Sequence, residues 1–250
     1  MKKKISNISI IIPVLNEENN ITYLLEELTL NLRNKINFEI LVVDDGSTDN
    51  TVKNTLNLLK ASQNISLLVH EKNYGQSASL LTGITNAKYE HIVTIDGDGQ
   101  NDPKDILKLV KNYNNNSAFF LVIGNRKKRN DKFARRLASR FAFLVRNIIL
   151  GDKVPDTGCG LKVFKKSDFL FIPFFNHIHR FLPFLFSSMG GNILSVNINH
   201  RERKSGISKY SNLQRGLAGI FDLFGVIWLR KRTHSSILIK QLYSSKKNKR

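Results

Sequence analysis

Asp96 and Asp98 stand two residues apart in the stretch IDGDGQNDP, Ile95 to Pro103, with Gly97 between them and Gly99 after. The stretch follows the apolar run His91-Ile92-Val93-Thr94-Ile95, which reads as a buried strand ending in a tight turn. Two carboxylates converge there on one small volume, and the glycines let the backbone fold closely around its occupant. Neighbouring anions repel unless a proton or a cation joins them. A divalent, oxygen-preferring ion such as Mg²⁺ or Mn²⁺ answers that need, and Mg²⁺ takes few carboxylates and completes its shell with substrate phosphates. A solvated acid-Gly-acid turn without ligand accounts for these nine residues equally well. An EF-hand does not: Gln100 and Asn101 stand where a further acid or Asn and the required Gly belong, and Leu107 replaces the bidentate Glu.

The segments that must position this turn alternate in type. Ile8 to Ile12 is an apolar strand stopped by Pro13, and Ile21, Leu24, Leu25, Leu28 and Leu32 then recur at helical spacing with Asn16 or Glu17 near the helix start. Phe38 to Val43 reads as a second strand ending at Asp44-Asp45-Gly46, and Ser47, Thr48 or Asp49 can cap a helix with Val52, Leu56 and Leu59 on its apolar face. Strands are expected at Ile65 to Val69, His91 to Ile95 and Phe119 to Ile123, with helices through Ala78, Leu81 and Ile84 and through Ile106, Leu109 and Val110 between them. Asp102 and Pro103 make a cap-and-first-turn pair for the latter. Such alternation argues an α/β fold, a mainly parallel Rossmann-like sheet with helices on both faces. Ligands of such sheets sit at the carboxyl ends of the strands. The acid-rich ends of strands one, two and four therefore share one crevice, which lowers the odds of an inert turn.

Other chemistries are excluded. The first turn, Pro13-Val14-Leu15-Asn16-Glu17, lacks the glycines of a dinucleotide fold, and no Gly-Lys-Ser/Thr phosphate loop is present. One cysteine, Cys159, rules out an intrachain disulfide and a thiolate-rich zinc site, in keeping with a reducing compartment. The net charge of +19 favours anionic partners: nucleic acid, an acidic membrane surface or phosphorylated substrates. No nucleic-acid-binding motif accompanies it, and the Phe-rich clusters match no stacking motif. Lys2-Lys3-Lys4 and the short run after it lack a cleavage site, so no export signal is expected. The uncharged stretch Phe181 to His200 is broken by Pro183, Gly190 and Gly191 and reads as a strand with a loop rather than a membrane span.

The second half changes character. Arg126 to Arg146 carries nine basic residues and one acid, interleaved with Phe133, Leu137, Phe141, Leu144 and Val145. That is a basic amphipathic helix, lying on an anionic membrane or packed on the core with a solvated basic face. Asp156-Thr157-Gly158-Cys159-Gly160 is a tight turn before a short strand, Leu161 to Phe164. Phe169 to Phe186 is rich in Phe, suited partly to the core and partly to a lipid-facing surface. His177 and His179 read as loop or core residues. Leu213, Leu217, Ile220, Phe224, Ile227 and Trp228 form a helical stripe ending in Arg230-Lys231-Arg232, the pattern of an interfacial membrane helix.

Seven motifs in order now resemble a GT-A glycosyltransferase of family 2, in its polyprenyl-phosphate branch typified by dolichol-phosphate mannosyltransferase. They are IIPVLNEENNI (Ile11 to Ile21), VVDDGSTDNT (Val42 to Thr51), NYGQSASLLTGI (Asn73 to Ile84), IDGDGQNDP, IGNR (Ile123 to Arg126), VPDTGCGLKVF (Val154 to Phe164) and HRERKSGISKY (His200 to Tyr210). The resemblance implies a glycosyltransferase domain over 1–210; the apolar stripe and the basic run after it add an amphipathic membrane-interface helix over 211–232 and a basic tail over 233–250. The resemblance also implies that Pro13, Glu17, Asp44 and Asp45 hold the base and ribose of a nucleotide sugar. Asp96 and Asp98, helped by Gln100, would hold the Mg²⁺ or Mn²⁺ that bridges the donor diphosphate; Asp96 could instead act through water or on the ribose. Arg126 and Arg140 would meet donor and acceptor phosphates, Asp156 would lie near the acceptor, and Arg203, Ser208 and Lys209 would form a second phosphate loop. Arg135, Arg136 or Arg146 could share the role of Arg140.

The activity so implied is inverting transfer of a sugar from a nucleotide-diphosphate sugar to a polyprenyl phosphate on the cytoplasmic face of a membrane, by a peripherally attached enzyme. A glycan acceptor is the sister reading. A departing nucleoside diphosphate gains charge that a metal and Arg or Lys stabilise best when preorganised. A phosphate acceptor is already anionic, so placement and electrostatics can replace a tuned general base. Many relatives append transmembrane helices, which are not expected in this chain, and Cys159 stands where Ser is common in relatives.

Overall fold

The computed structural model describes residues 5–60, 62–126, 154–201 and 212–232, the last segment by backbone alone over 212–220. Within these bounds the strands are β1 (Asn7–Val14), β2 (Asn37–Asp44), β3 (Ile65–Val69), β4 (His91–Thr94), β5 (Leu121–Arg126), β6 (Lys162–Lys165) and β7 (Ile193–Ile198). The helices are α1 (Ile21–Leu32), α2 (Thr51–Leu59), α3 (Gln76–Asn86), α4 (Lys104–Asn112), α5 (Lys166–Phe171), α6 (Ile178–Ser188) and α7 (Asn212–Arg232). The strands form one sheet in the order β3-β2-β1-β4-β6-β5-β7. The neighbouring pairs β2–β3, β1–β2, β1–β4 and β5–β7 are parallel, and only β6 runs against its neighbours.

Both faces are covered, as the alternation of strands and helices implies. Successive side chains of a strand point to opposite faces. Ile8, Ile10 and Ile12 of β1 accordingly pack with Leu24, Leu25 and Leu28 of α1 and Ile106 and Leu109 of α4. Ile11, with Leu41 and Val43 of β2, packs with Leu80 and Ile84 of α3 and with α6 on the other face. The reversed β6 has a consequence for chemistry. Val14 lies beside Asp44, Ile11 beside Thr94, and Thr94 and Ile123 both beside Lys162. The carboxyl ends of β1, β2, β4 and β5 therefore meet the amino end of β6 at one edge, and the 154–161 turn arrives there too.

Three expectations change. Phe181 to His200 is not a strand with a loop throughout: α6 occupies its first part, with Pro183 inside the helix, before β7. Pro within a helix forfeits a hydrogen bond and costs about 3 kcal/mol. Burial of Phe181, Leu182, Phe184, Leu185 and Phe186 on one short helix offsets it, at about 1.5–3 kcal/mol per large apolar side chain. Helix α2 turns Thr51 and Thr55 inward and leaves Leu56 exposed, because both hydroxyls find partners in Asp49 and the Thr51 carbonyl. The fifth strand starts at Leu121, since Phe119 adopts a left-handed φ of 50° that ends ladder geometry.

Residues Asn212–Arg232 are helical, as α7. It buries Leu223 and Val226 against the core and leaves Phe221, Phe224 and Trp228 outward. Among the described residues no helix is long and apolar enough to cross a membrane. The basic helix expected over 126–146 lies outside the described residues but for Arg126, and the tail expected over 233–250 lies outside them entirely.

Candidate active site

The first two acid-rich strand ends are laced together. Asn16, at a left-handed φ of 52°, donates its N–H to Ser47 Oγ at 2.8 Å and accepts the Thr48 N–H on Oδ1 at 2.8 Å. Glu17 donates its N–H to Thr51 Oγ1 at 2.8 Å, and its Oε2 accepts Asn20 Nδ2 at 2.7 Å. Pro13, half-buried, does not stop the strand as its lack of an N–H suggested: β1 keeps its register beside β2 through Pro13 to Val14. Asp44 is fully buried; Oδ1 accepts the Ser47 N–H at 2.8 Å, and Oδ2 has no partner among the described residues. Asp45 is held by protein through both oxygens: Oδ1 accepts the Tyr74 N–H at 2.9 Å and meets His70 Nδ1 at 2.8 Å, and Oδ2 accepts the Gly75 N–H at 2.8 Å. It thus ties the loop before α3 to the end of β2.

The third strand end carries the paired acids. Gln76, first residue of α3, donates Nε2 to Asp96 Oδ1 at 3.0 Å. On the other side stands Gly160, where a Cβ would meet Asp96 Oδ2 at 2.2 Å; only glycine leaves room for the carboxylate. Burial, then the charge of Asp98, pushes the Asp96 pKa up to about 6, against the pull of Lys162, Arg126 and Gln76. Asp98 Oδ1 accepts the Gln100 N–H at 3.1 Å, which closes the turn, while the Gln100 side chain points its Nε2 at Arg201 O, 3.4 Å away.

Opposite lie the basic groups. Arg126, at the end of β5, makes a two-pronged contact with Asp156, Nε to Oδ2 at 2.6 Å and Nη2 to Oδ1 at 2.7 Å. Lys162 is buried at the start of β6, its ammonium donating to the Cys159 carbonyl. Burial pulls its pKa down, while Asp96 and Asp156 favour its charge. The Cys159 thiol is buried and pushed up to about 11 by that burial, which unfits it as a nucleophile. His179 is a structural residue, its Nδ1 2.8 Å from Ser77 Oγ.

Pro13, Glu17, Asp44, Asp45, Asp96, Asp98, Gln100, Arg126 and Asp156 thus gather on one edge of the sheet. Arg140, Arg203, Ser208 and Lys209 lie outside the described residues. Gln76, Gly160, Lys162 and Arg201 belong to the neighbourhood, and sequence reasoning did not single them out. All four sit inside quoted motifs, but what brings them to the acidic turn is proximity of segments distant in the chain.

Among the described residues no three His, Cys, Asp or Glu side chains cluster as a metal cage. Two carboxylates on one turn, one with its pKa raised by burial and then by the other's charge, nevertheless suit an ion that draws its remaining ligands from water and phosphate. The donor set is all oxygen, the preference of Mg²⁺ and Mn²⁺.

A family model described as glycosyl transferase family 2 matches residues 9–171. The chain belongs to glycosyl transferase family 2. Within that family it is 32% identical over 230 residues to the dodecaprenyl-phosphate galacturonate synthase of Rhizobium johnstonii, covering 90% of this chain and 67% of the relative. It is 29% identical over 219 residues to the undecaprenyl-phosphate 4-deoxy-4-formamido-L-arabinose transferase of Proteus mirabilis, covering 85% and 65%. The chain thus spans about two thirds of the length of these curated relatives. Among solved structures it resembles glucosyl-3-phosphoglycerate synthase from Mycobacterium tuberculosis in complex with Mn²⁺, UDP-glucose and glycerol 3-phosphate. That match has a TM-score of 0.66 at 18% identity, over 95% of this chain and 84% of that one. The fold of this family 2 chain is GT-A, as its motif order implied.

Proposed function

We propose that the protein moves a sugar from a nucleoside-diphosphate sugar to a polyprenyl phosphate, with inversion, at a membrane surface. The observation that carries this reading is the convergence of the Asp96–Asp98 turn with the ends of β1, β2 and β5 on one edge of a family 2 domain. Its relatives named above are polyprenyl-phosphate sugar transferases, which supports the acceptor class. Pro13, Glu17, Asp44 and Asp45 form the wall on which base and ribose would lie. Asp44, fully buried with Oδ1 on the Ser47 N–H, and Asp45, which holds the 70–75 loop, would act by shaping that wall from behind.

Asp96 and Asp98, with Gln100 at the turn's close, would hold a divalent cation, Mg²⁺ or Mn²⁺. The Mn²⁺ and UDP-glucose bound by the mycobacterial enzyme support that choice. Such an ion supplies neutralisation of the charge that gathers on the departing diphosphate. The chain's own part is placement: Gln76 and Gly160 fix the Asp96 carboxylate, and Asp156 fixes the plane of Arg126. Arg126 then presents its remaining edge to phosphate, with Arg140, Arg203, Ser208 and Lys209 as further phosphate ligands. A phosphate monoester acceptor arrives ionised, so orientation does the work that a tuned base would do elsewhere. Attachment is peripheral, on the cytoplasmic face, where α7 meets anionic lipid.

The test is transfer of labelled sugar from a panel of nucleotide sugars to undecaprenyl phosphate in anionic vesicles, with Mn²⁺, by wild type and Asp98→Ala. Wild type transfers and the variant does not. Transfer to a soluble saccharide with no transfer to lipid phosphate would replace the acceptor assignment, and undiminished metal-dependent transfer by the variant would remove the metal assignment.

A further inference from the structure

We propose that Arg201 is a positioning residue for the Asp96–Asp98 turn, acting as the clamp that holds the turn's far end in register. The inference rests on the reading of that turn as a cation site. The near end of the turn is built into the sheet, because Ile95 N–H bonds Ile11 O at 3.1 Å. The far end leaves the sheet, passes Gly99 at a φ of 72°, and reaches α4 through Asn101 and Asp102. There it meets residues 200 and 201. Asn101 and His200 form an antiparallel bridge, Arg201 N–H donates to Gln100 O at 2.9 Å, and Gln100 Nε2 approaches Arg201 O at 3.4 Å.

The Arg201 side chain then locks this contact to two helices. Its Nη1 and Nη2 each lie 2.7 Å from an oxygen of Glu27 on α1, and Nη2 lies 2.9 Å from Asp102 Oδ1. Asp102 Oδ1 also accepts the Lys104 N–H at 3.0 Å, which caps the start of α4. One guanidinium thus joins α1, the start of α4 and the turn between Asp98 and Asp102. The arrangement needs the planar fork of Arg, because an ammonium on a single stem cannot satisfy a two-pronged carboxylate and a second acid together. Glu27 is anchored in turn by its neighbours Leu24, Leu25 and Leu28, all in the core. A carboxylate ligand misplaced by a fraction of an ångström binds a hard cation poorly, since Mg²⁺-type ions demand near-ideal geometry. Arg201 therefore sets cation affinity without touching the ion.

The experiment is a Mn²⁺ titration of the full chain followed by the electron paramagnetic resonance signal of the free ion, alone and with UDP or GDP. Wild type, Asp98→Asn, Arg201→Lys, Arg201→Ala and Glu27→Ala are compared, with thermal unfolding recorded without metal. We expect Asp98→Asn to lose binding. Arg201→Ala and Glu27→Ala should weaken it about tenfold or more, and Arg201→Lys should fall between them and wild type. Binding equal to wild type in both Arg201→Ala and Glu27→Ala, with Asp98→Asn still deficient, overturns the proposal. A lowered melting temperature with unchanged Mn²⁺ affinity has the same meaning, an ordinary structural ion pair. If Arg201→Ala fails to fold, Glu27→Ala decides. Asp98→Asn binding as well as wild type, or no binding by wild type, instead removes the cation reading and this inference with it.

Discussion

The guanidinium of Arg126 lies edge-on against the carboxylate of Asp156, with paired contacts of 2.6 and 2.7 Å and side chains only 12% and 6% exposed. Removing one partner of such a pair leaves a buried, uncompensated charge. That typically costs about 3–5 kcal/mol, whereas removing both is far milder. Asp156→Ala should therefore lower the urea midpoint markedly. The double variant Arg126→Ala/Asp156→Ala should be more stable than the sum of the single losses allows, a positive coupling in a double-mutant cycle. Additive losses would mean that the two groups do not depend on each other.

A second prediction concerns acid stability. Burial, followed by the positive charges of Lys162 and Arg180 and by His177, holds the His179 imidazole well below its ordinary pKa of 6.5. The folded protein thus keeps this ring neutral where the unfolded chain would protonate it. Below about 6.5 the unfolded state binds more protons, so stability contributed by neutral His179 is complete above that pH and is lost as the pH falls through it. The slope is at most about 1.4 kcal/mol per pH unit. His179→Asn retains a group able to meet Ser77 but cannot titrate. Urea unfolding between pH 5 and 7 should show a flatter profile for the variant, and parallel profiles would assign the acid sensitivity elsewhere.

How much of this could be read in advance follows from sequence separation. Strands β1, β2 and β4 announce themselves as apolar runs followed by acids, and the alternation with helices is enough to place those acids on one edge. Motif order carried the family. Two features escaped. Pro183 argued against a helix, and only the burial of five apolar neighbours on the α6 face outweighs it. Pairings between distant residues leave no local trace: Arg201 meets Glu27 across 174 residues of chain, and Arg126 meets Asp156 across 30. Arg203 drew attention as a phosphate ligand; Arg201, two residues earlier, was passed over although its contacts reach the acidic turn.

Gly160 supplies a third prediction. A methyl group there would stand 2.2 Å from Asp96 Oδ2 and 2.3 Å from its Cγ, an overlap that only movement of the carboxylate can relieve. The Gly160 carbonyl also accepts the Thr94 Oγ1 hydrogen bond, so the turn itself is held in place and Asp96 must give way. A displacement near 1 Å at a reacting centre costs on the order of 100-fold in rate. Gly160→Ala should lose about that much in kcat/KM, with circular dichroism unchanged and the Mn²⁺ dependence shifted to higher concentration. Full activity would place Asp96 outside the chemistry.

The last prediction tests the membrane contact proposed for α7. Phe221, Phe224 and Trp228 are 78%, 67% and 62% exposed, and their spacing of three and four sets them on one face of α7. The opposite side is committed to the core through Leu223 and Val226. Arg230 bends back over the Phe184 ring at 5.6 Å, which joins the end of α7 to α6 and leaves Lys231 and Arg232 exposed beside the aromatic face. Aromatic side chains next to basic ones bind an interface by burying apolar area among anionic headgroups, and the electrostatic part weakens with salt. Wild type should co-sediment with phosphatidylglycerol-containing vesicles more strongly than with neutral ones, less so at high salt. Phe221→Ser/Phe224→Ser/Trp228→Ser should weaken that association about tenfold or more, corresponding to about 1.4 kcal/mol, without lowering the melting temperature. Because the substituted side chains point away from Leu223 and Val226, equal vesicle binding by the variant would mean that this face of α7 does not meet lipid.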